Sequence, residues 1–79
     1  MSHLHEDKKI LNRVKRLQGQ VKAVELSITH PDASCIDVLQ QVAAIKGAVN
    51  GLMNELVEAH LRHHVLAQAE QVLSLIHIS

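Results

Sequence analysis

Apolar residues recur along this chain in alternating steps of four and three, first at Ile10, Val14, Leu17, Val21, Val24 and Ile28, then at Val38, Val42, Ile45, Val49, Leu52 and Leu56. A period near 3.5 residues lays a narrow apolar stripe along each of two helices. Pro31 lies between them and drives His30 out of the helical region, which predicts that the first helix ends near Ser27–Thr29. Ser34, with Asp37 three residues later, predicts the start of the second helix as a capping box with Asp in place of Glu. That helix is expected to reach at least His64. Beyond it Val65, Ala69, Val72 and Ile76 keep a weaker helical spacing, which fits a continuation or a short third helix. So short a connector folds the two helices into an antiparallel hairpin. Ala43, Gly47 and Gly51 recur every four residues on helix two. Each Gly costs about 1 kcal/mol against Ala in a helix interior, a cost that close approach of another backbone offsets.

Composition sharpens this all-α picture. The 79 residues include no Phe, Tyr or Trp, so one small domain must build its core from aliphatic side chains and alanine. Chains of this size draw stability from oligomerisation or a metal. Net charge is zero but unevenly spread: residues 1–30 hold six bases and three acids, residues 31–79 two bases and five acids. Lys8, Lys15 and Lys22 repeat every seven residues opposite the apolar stripe of helix one, and Lys9, Arg13 and Arg16 flank them. Six bases on one helix suit contacts to the phosphates of double-stranded DNA, although any solvated helix also presents a charged face. No helix-turn-helix signature or zinc-finger spacing is present. No Ser/His/Asp set, carboxylate pair or phosphate loop supports an enzyme. A single cysteine excludes an internal disulfide framework, and no run approaches ~20 apolar residues, so a cytoplasmic protein that does not enter the membrane is expected.

Cys35, His60 and His64, with His3 at the other end of the chain, have the donor chemistry of a transition-metal site, since thiolate and imidazole suit Co, Ni or Zn. Cys35 and His60 are 25 residues apart, roughly 37 Å on one helix at ~1.5 Å per residue. Metal–ligand bonds of about 2.0–2.3 Å do not span that gap. A hairpin brings the chain start beside residues 56–60, so His3 approaches His60 and His64. An antiparallel pair of hairpins then carries Cys35 of one copy to the histidines of the other, in two equivalent composite sites. The plainer alternatives are a lone Cys acting as a small apolar residue and a His pair on a solvated face. His63 is expected as an exposed neighbour, His5 as a polar residue, and His30 and His77 as parts of the turn and tail.

LNRVKRLQGQV in helix one and CIDVLQQVAAIKGAVNGLMNELVEAHL in helix two resemble the small all-helical bacterial repressors of the CsoR/RcnR/FrmR group, over roughly residues 3–66. The resemblance implies hairpins that dimerise into four-helix bundles and assemble further into tetramers. It implies repressors that bind operator DNA without a helix-turn-helix and leave it when an inducer binds. By position, Cys35, His60 and His64 match inducer-site residues, and His3 matches the N-terminal ligand of the nickel/cobalt branch. The copper branch has a second Cys where this chain has His64, and Cu(I) prefers soft thiolates. Ni(II) or Co(II) is therefore the expected inducer, with Zn(II) also compatible and Cu(I) disfavoured. The formaldehyde branch has Pro at position two, where this chain has Ser2; a formaldehyde sensor using Cys35 as nucleophile is the rival within the fold. A helical metal-binding assembly without DNA is the rival outside it. Arg13, Arg16 and the nearby lysines fall at the family's DNA-contacting positions. Residues 1–66 are expected to form the sensing and DNA-binding domain. Residues 67–79 are expected to form a tail whose LSLIHIS ending departs from the family's polar third helix, as a truncated sequence or non-native last residues would.

Overall fold

A computed structural model describes residues 4–77, all of whose regular structure is helical. A single 3-10 turn, Leu4–Glu6, leads into helix α1, Lys8–Thr29, and a short turn joins it to helix α2, Cys35–His77. Local chemistry sets each boundary. Asp7 caps α1 with extended backbone, and its Oδ1 accepts a hydrogen bond from the Ile10 N–H at 3.1 Å. At the other end the Thr29 hydroxyl donates to the Leu26 carbonyl at 2.9 Å, and the His30 N–H donates to the Ser27 carbonyl. His30 is extended (ψ 134°), as its position before Pro31 requires. The turn closes where the Asp32 N–H donates to His30 Nδ1 and the Ala33 N–H donates to the His30 carbonyl, both at 3.1 Å. The Val38 N–H then donates to the Ser34 carbonyl, which puts Ser34 at the predicted N-cap position of α2. No Gly or Pro follows Gly51, and α2 runs unbroken for 43 residues. The tail therefore continues α2, and no third helix is formed among the described residues.

The two helices pack as the expected hairpin, but the packed faces differ from the predicted stripes. On α1, Ile10, Val14, Leu17 and Val24 turn inward as expected, whereas Val21 and Ile28 are exposed. On α2, Val38, Ile45, Leu52 and Leu56 turn inward as expected, and Gln41, Ala48, Ala59 and His63 complete the inward column. Val42 and Val49, predicted for the seam, lie exposed on a second apolar face with Leu39, Met53, Val57 and Leu61. Residues 41 and 42 are separated by about 100° around the helix, so both columns cannot face one partner. Small side chains at Ala48 and Ala59 let α1 approach the first column, and the bulkier one is left over.

The hairpin has little interior of its own. Only Ile10 (7% exposed) and Ala59 (1%) are buried among the described residues. Its accessible surface is 6661 Å², against roughly 4700 Å² for a compact monomer of this mass. Its radius of gyration is 19.8 Å, against about 12 Å for a compact domain of this length. Ile10 is thus the main large anchor between the helices. Ile10→Ala is expected to lower stability by about 2 kcal/mol or more, and Lys8→Ala, on the exposed side of the same turn, by less than ~0.5 kcal/mol. Urea unfolding at one fixed protein concentration checks the contrast, and equal losses would mean that the hairpin interface contributes nothing.

Candidate metal site and basic face

One turn of α2 separates His60 from His64, so both imidazoles project from one side of the helix. Their rings lie stacked, with centroids 6.4 Å apart and planes 9° from parallel. They line a groove of about 510 Å³ with Leu56, Ala59, His63, Ala67 and Leu4. Leu4 belongs to the N-terminal turn, so the chain start does reach this part of α2, as counting outward from the hairpin turn predicts. His3, the residue before it, lies outside the described residues. His63 departs from expectation: it is half-buried and lines the same groove, whereas His60 and His64 are exposed. Its position continues the inward column through Ile45, Leu52 and Ala59, a signal present in the sequence but hidden by the polar side chain. His5 lies 3.5 Å from Glu6, both largely in solvent.

Cys35 is the first residue of α2, exposed, with a free thiol. It sits at the turn end of the hairpin, the end remote from His60. Among the described residues no three His, Cys, Asp or Glu side chains gather closely enough to hold a metal ion. The donor types suit a late first-row metal, and α2 brings two of them, His60 and His64, to one place.

The bases of α1 divide into three groups. Lys8, Lys15 and Arg16 are exposed. Lys22 donates to Glu25 one turn on, at 2.9 Å. Lys9 and Arg13 converge on one acid of the other helix: Glu55 Oε1 lies 3.0 Å from Lys9 Nζ and 3.4 Å from Arg13 Nη2. The Glu55 side chain is only 18% exposed, against 36% for Arg13 and 69% for Lys9. The Lys9 ammonium donating to the carboxylate holds Glu55 below its ordinary carboxyl value; partial burial pushes the other way, and the charge of Arg13 adds to the lowering. What this pairing contributes to the hairpin is therefore present at neutral pH and is lost as the pH falls through the lowered value.

Gly51 lies beneath this cluster. A Cβ there would stand 2.8 Å from Arg13 Nη1, so glycine leaves room for the guanidinium. Gly47, by contrast, faces open space. The Ala43–Gly47–Gly51 series therefore serves no backbone approach within the hairpin; its one close neighbour is a side chain. Sequence reasoning missed Glu55 as a partner of the basic face. The available signal was an acid three residues after Leu52, one turn along the inward face of α2, opposite two bases spaced four apart.

No described helix is long and apolar enough to cross a membrane. Residues 6–78 match the family described as metal-sensitive transcriptional repressors. Over 73 residues the chain is 47% identical to the transcriptional repressor RcnR of Citrobacter koseri and 45% identical to RcnR of Escherichia coli strain K12, each match covering 91% of this chain and 80% of the relative. It is also 50% identical over 68 residues to a Serratia marcescens protein described by its place in the bioA 5' region, covering 85% of this chain and 74% of that one.

Proposed function

This chain belongs to the metal-sensitive transcriptional repressor family, a family of regulators rather than enzymes, and from that membership we propose a repressor that leaves its operator when Ni(II) or Co(II) binds. The observation that carries the choice of metal is the donor set. His60 and His64 offer two nitrogen donors one turn apart, and Cys35 is the chain's one thiol. Imidazole with a single thiolate suits Ni(II), Co(II) and Zn(II) better than Cu(I), which favours several soft sulfur ligands. His3, next to the Leu4 that lines the histidine groove, is the proposed fourth donor.

Two hairpins packed antiparallel through the second apolar face of α2 would bring Cys35 of one protomer to the histidines of its partner. The large accessible surface of the single hairpin supports such an assembly. Paired dimers, in a tetramer, would set several α1 helices against one duplex. A metal, when bound, would supply directional bonds to imidazole and thiolate donors. His60 and His64 would hold it from one protomer and Cys35 from the other, so ligation would select the relative placement of two hairpins. DNA release follows if the two placements differ in metal affinity.

The proposed DNA face is the basic side of α1: Lys8, Lys9, Arg13, Lys15, Arg16 and Lys22. Lys8, Lys15 and Arg16, exposed and engaged by neither Glu25 nor Glu55, are the first candidates for phosphate binding. Replacing these three by Ala should weaken metal-free DNA binding and flatten its salt dependence, by roughly 0.9 in the log–log slope for each phosphate that is no longer neutralised. Fluorescence anisotropy with the duplex upstream of the chain's own gene measures both. Unchanged affinity and slope would remove α1 as the DNA face, and release by formaldehyde in place of Ni(II) or Co(II) would move the inducer to an aldehyde.

A further inference from the structure

We propose that Glu55 is a built-in competitor for DNA phosphate, withholding Lys9 and Arg13 from the duplex and so setting the repressor's affinity below what its six helix-one bases could reach. The inference deepens the DNA-binding reading above and rests on it. Its basis is the convergence of two α1 cations on a single α2 carboxylate, Lys9 Nζ at 3.0 Å and Arg13 Nη2 at 3.4 Å.

A carboxylate and a phosphate oxygen present the same chemistry to an ammonium or guanidinium: a charged acceptor of short hydrogen bonds. Glu55 is held close by the hairpin and is mostly shielded from water, so it meets both cations at a local concentration that no external phosphate matches. The cluster of two cations and one carboxylate carries one net positive charge, where two free cations would carry two. Lys9 and Arg13 are nevertheless not sealed in. Lys9 is mostly in solvent, Arg13 is partly exposed, and the buried Nε of Arg13 has no hydrogen-bond partner among the described residues. The guanidinium is therefore retained by one carboxylate oxygen rather than by a saturated network, and release leaves it free to turn outward. Gly51 supports the hold: with no Cβ, it lets the guanidinium lie against α2 within reach of Glu55.

Two substitutions separate competition from a structural role. Glu55→Gln removes the charge while keeping the shape, freeing both cations. Gly51→Ala leaves Glu55 in place but forces the Arg13 guanidinium aside, and it improves the helix propensity of α2, so it protects the fold. Full-length wild-type and variant proteins are titrated without metal into the fluorescein-labelled duplex from upstream of the chain's own gene over a range of salt concentrations, with helical circular dichroism recorded alongside. Glu55→Gln should bind several-fold more tightly than wild type, with the log–log salt slope steeper by roughly 0.9 for each cation released per engaged protomer. Gly51→Ala should shift in the same direction by less, since it releases only Arg13. If Glu55→Gln loses its helical signal, Gly51→Ala decides the matter alone. Wild-type or weaker binding by folded variants overturns competition, weaker binding pointing instead to Glu55 as a residue that positions the cations for DNA. Absence of salt-dependent binding by every protein, wild type included, overturns the DNA-binding reading and this inference with it. Binding by wild type without a gain in the variants overturns this inference only.

Discussion

Mixing two damaged chains should rebuild about a quarter of the wild-type metal sites. One chain carries Cys35→Ala, the other His60→Ala with His64→Ala. Each alone is expected to lose more than ~100-fold in Co(II) affinity, the upper end of what removing even a residue that merely supports a ligand costs. Equal mixing by unfolding and refolding makes about half of the dimers hybrid. A twofold pairing gives each hybrid one site with all its donors and one with neither set. The intact site unites the Cys35 of one chain with the His60 and His64 of the other. A thiolate-to-Co(II) charge-transfer band should thus be absent from both parents and return in the mixture at about a quarter of the wild-type intensity. A mixture that stays dark would show that thiol and imidazoles are not joined across protomers. A band persisting in the Cys35→Ala parent would show that the thiol is no ligand. The distance argument makes this a sharp test, because nothing in the described hairpin brings residue 35 near residue 60 of the same chain.

The second large effect should come from placing charge on the outer apolar face of α2. Val49 and Met53 are exposed in the single hairpin, one turn apart on the side turned away from α1. Burying a side chain of this size contributes about 1.5–3 kcal/mol, and a twofold interface counts each one twice. Val49→Glu with Met53→Glu would remove that contribution and leave four carboxylates facing one another. The loss is comparable with the whole stability of a small domain, about 5–15 kcal/mol. The double variant is expected to sediment as a monomer, to lose most of its helical signal and to bind neither Co(II) nor DNA tightly. Wild-type sedimentation and helicity in this variant would place the interface between copies elsewhere. Thermal unfolding of the unsubstituted protein should likewise shift to higher temperature as its concentration rises.

Both experiments turn on how far a residue's surroundings follow from its neighbours in the chain. Where an element begins and ends is decided within four residues, by a cap, a proline or a hydroxyl. Pro31 and Ser34 therefore placed the turn correctly from sequence, and Asp7 holds the start of α1 by the same short-range chemistry. Counting residues outward from that turn was enough to bring the N-terminal segment to His60 and His64, because a hairpin's arms pair by length.

What α2 buries against α1 was not decided in that way. Its sequence supports two apolar columns, one through Val42 and Val49 and one through Ile45 and Leu52. The predicted stripe draws on both columns, yet α1 packs on the second alone, where Ala48 and Ala59 allow close approach. The same choice of face turns His63 inward and Val42 outward. It also sets Glu55 against Lys9 and Arg13 and gives Gly51 its neighbour. Sequence by itself determined two helices, their hairpin and the end at which the histidines gather, since those depend on local backbone chemistry and chain length. Tertiary structure alone decided which side of α2 meets α1 and which cations of α1 are already engaged. Those outcomes depend on competition between faces of one helix for a single partner, and only the packed pair resolves it.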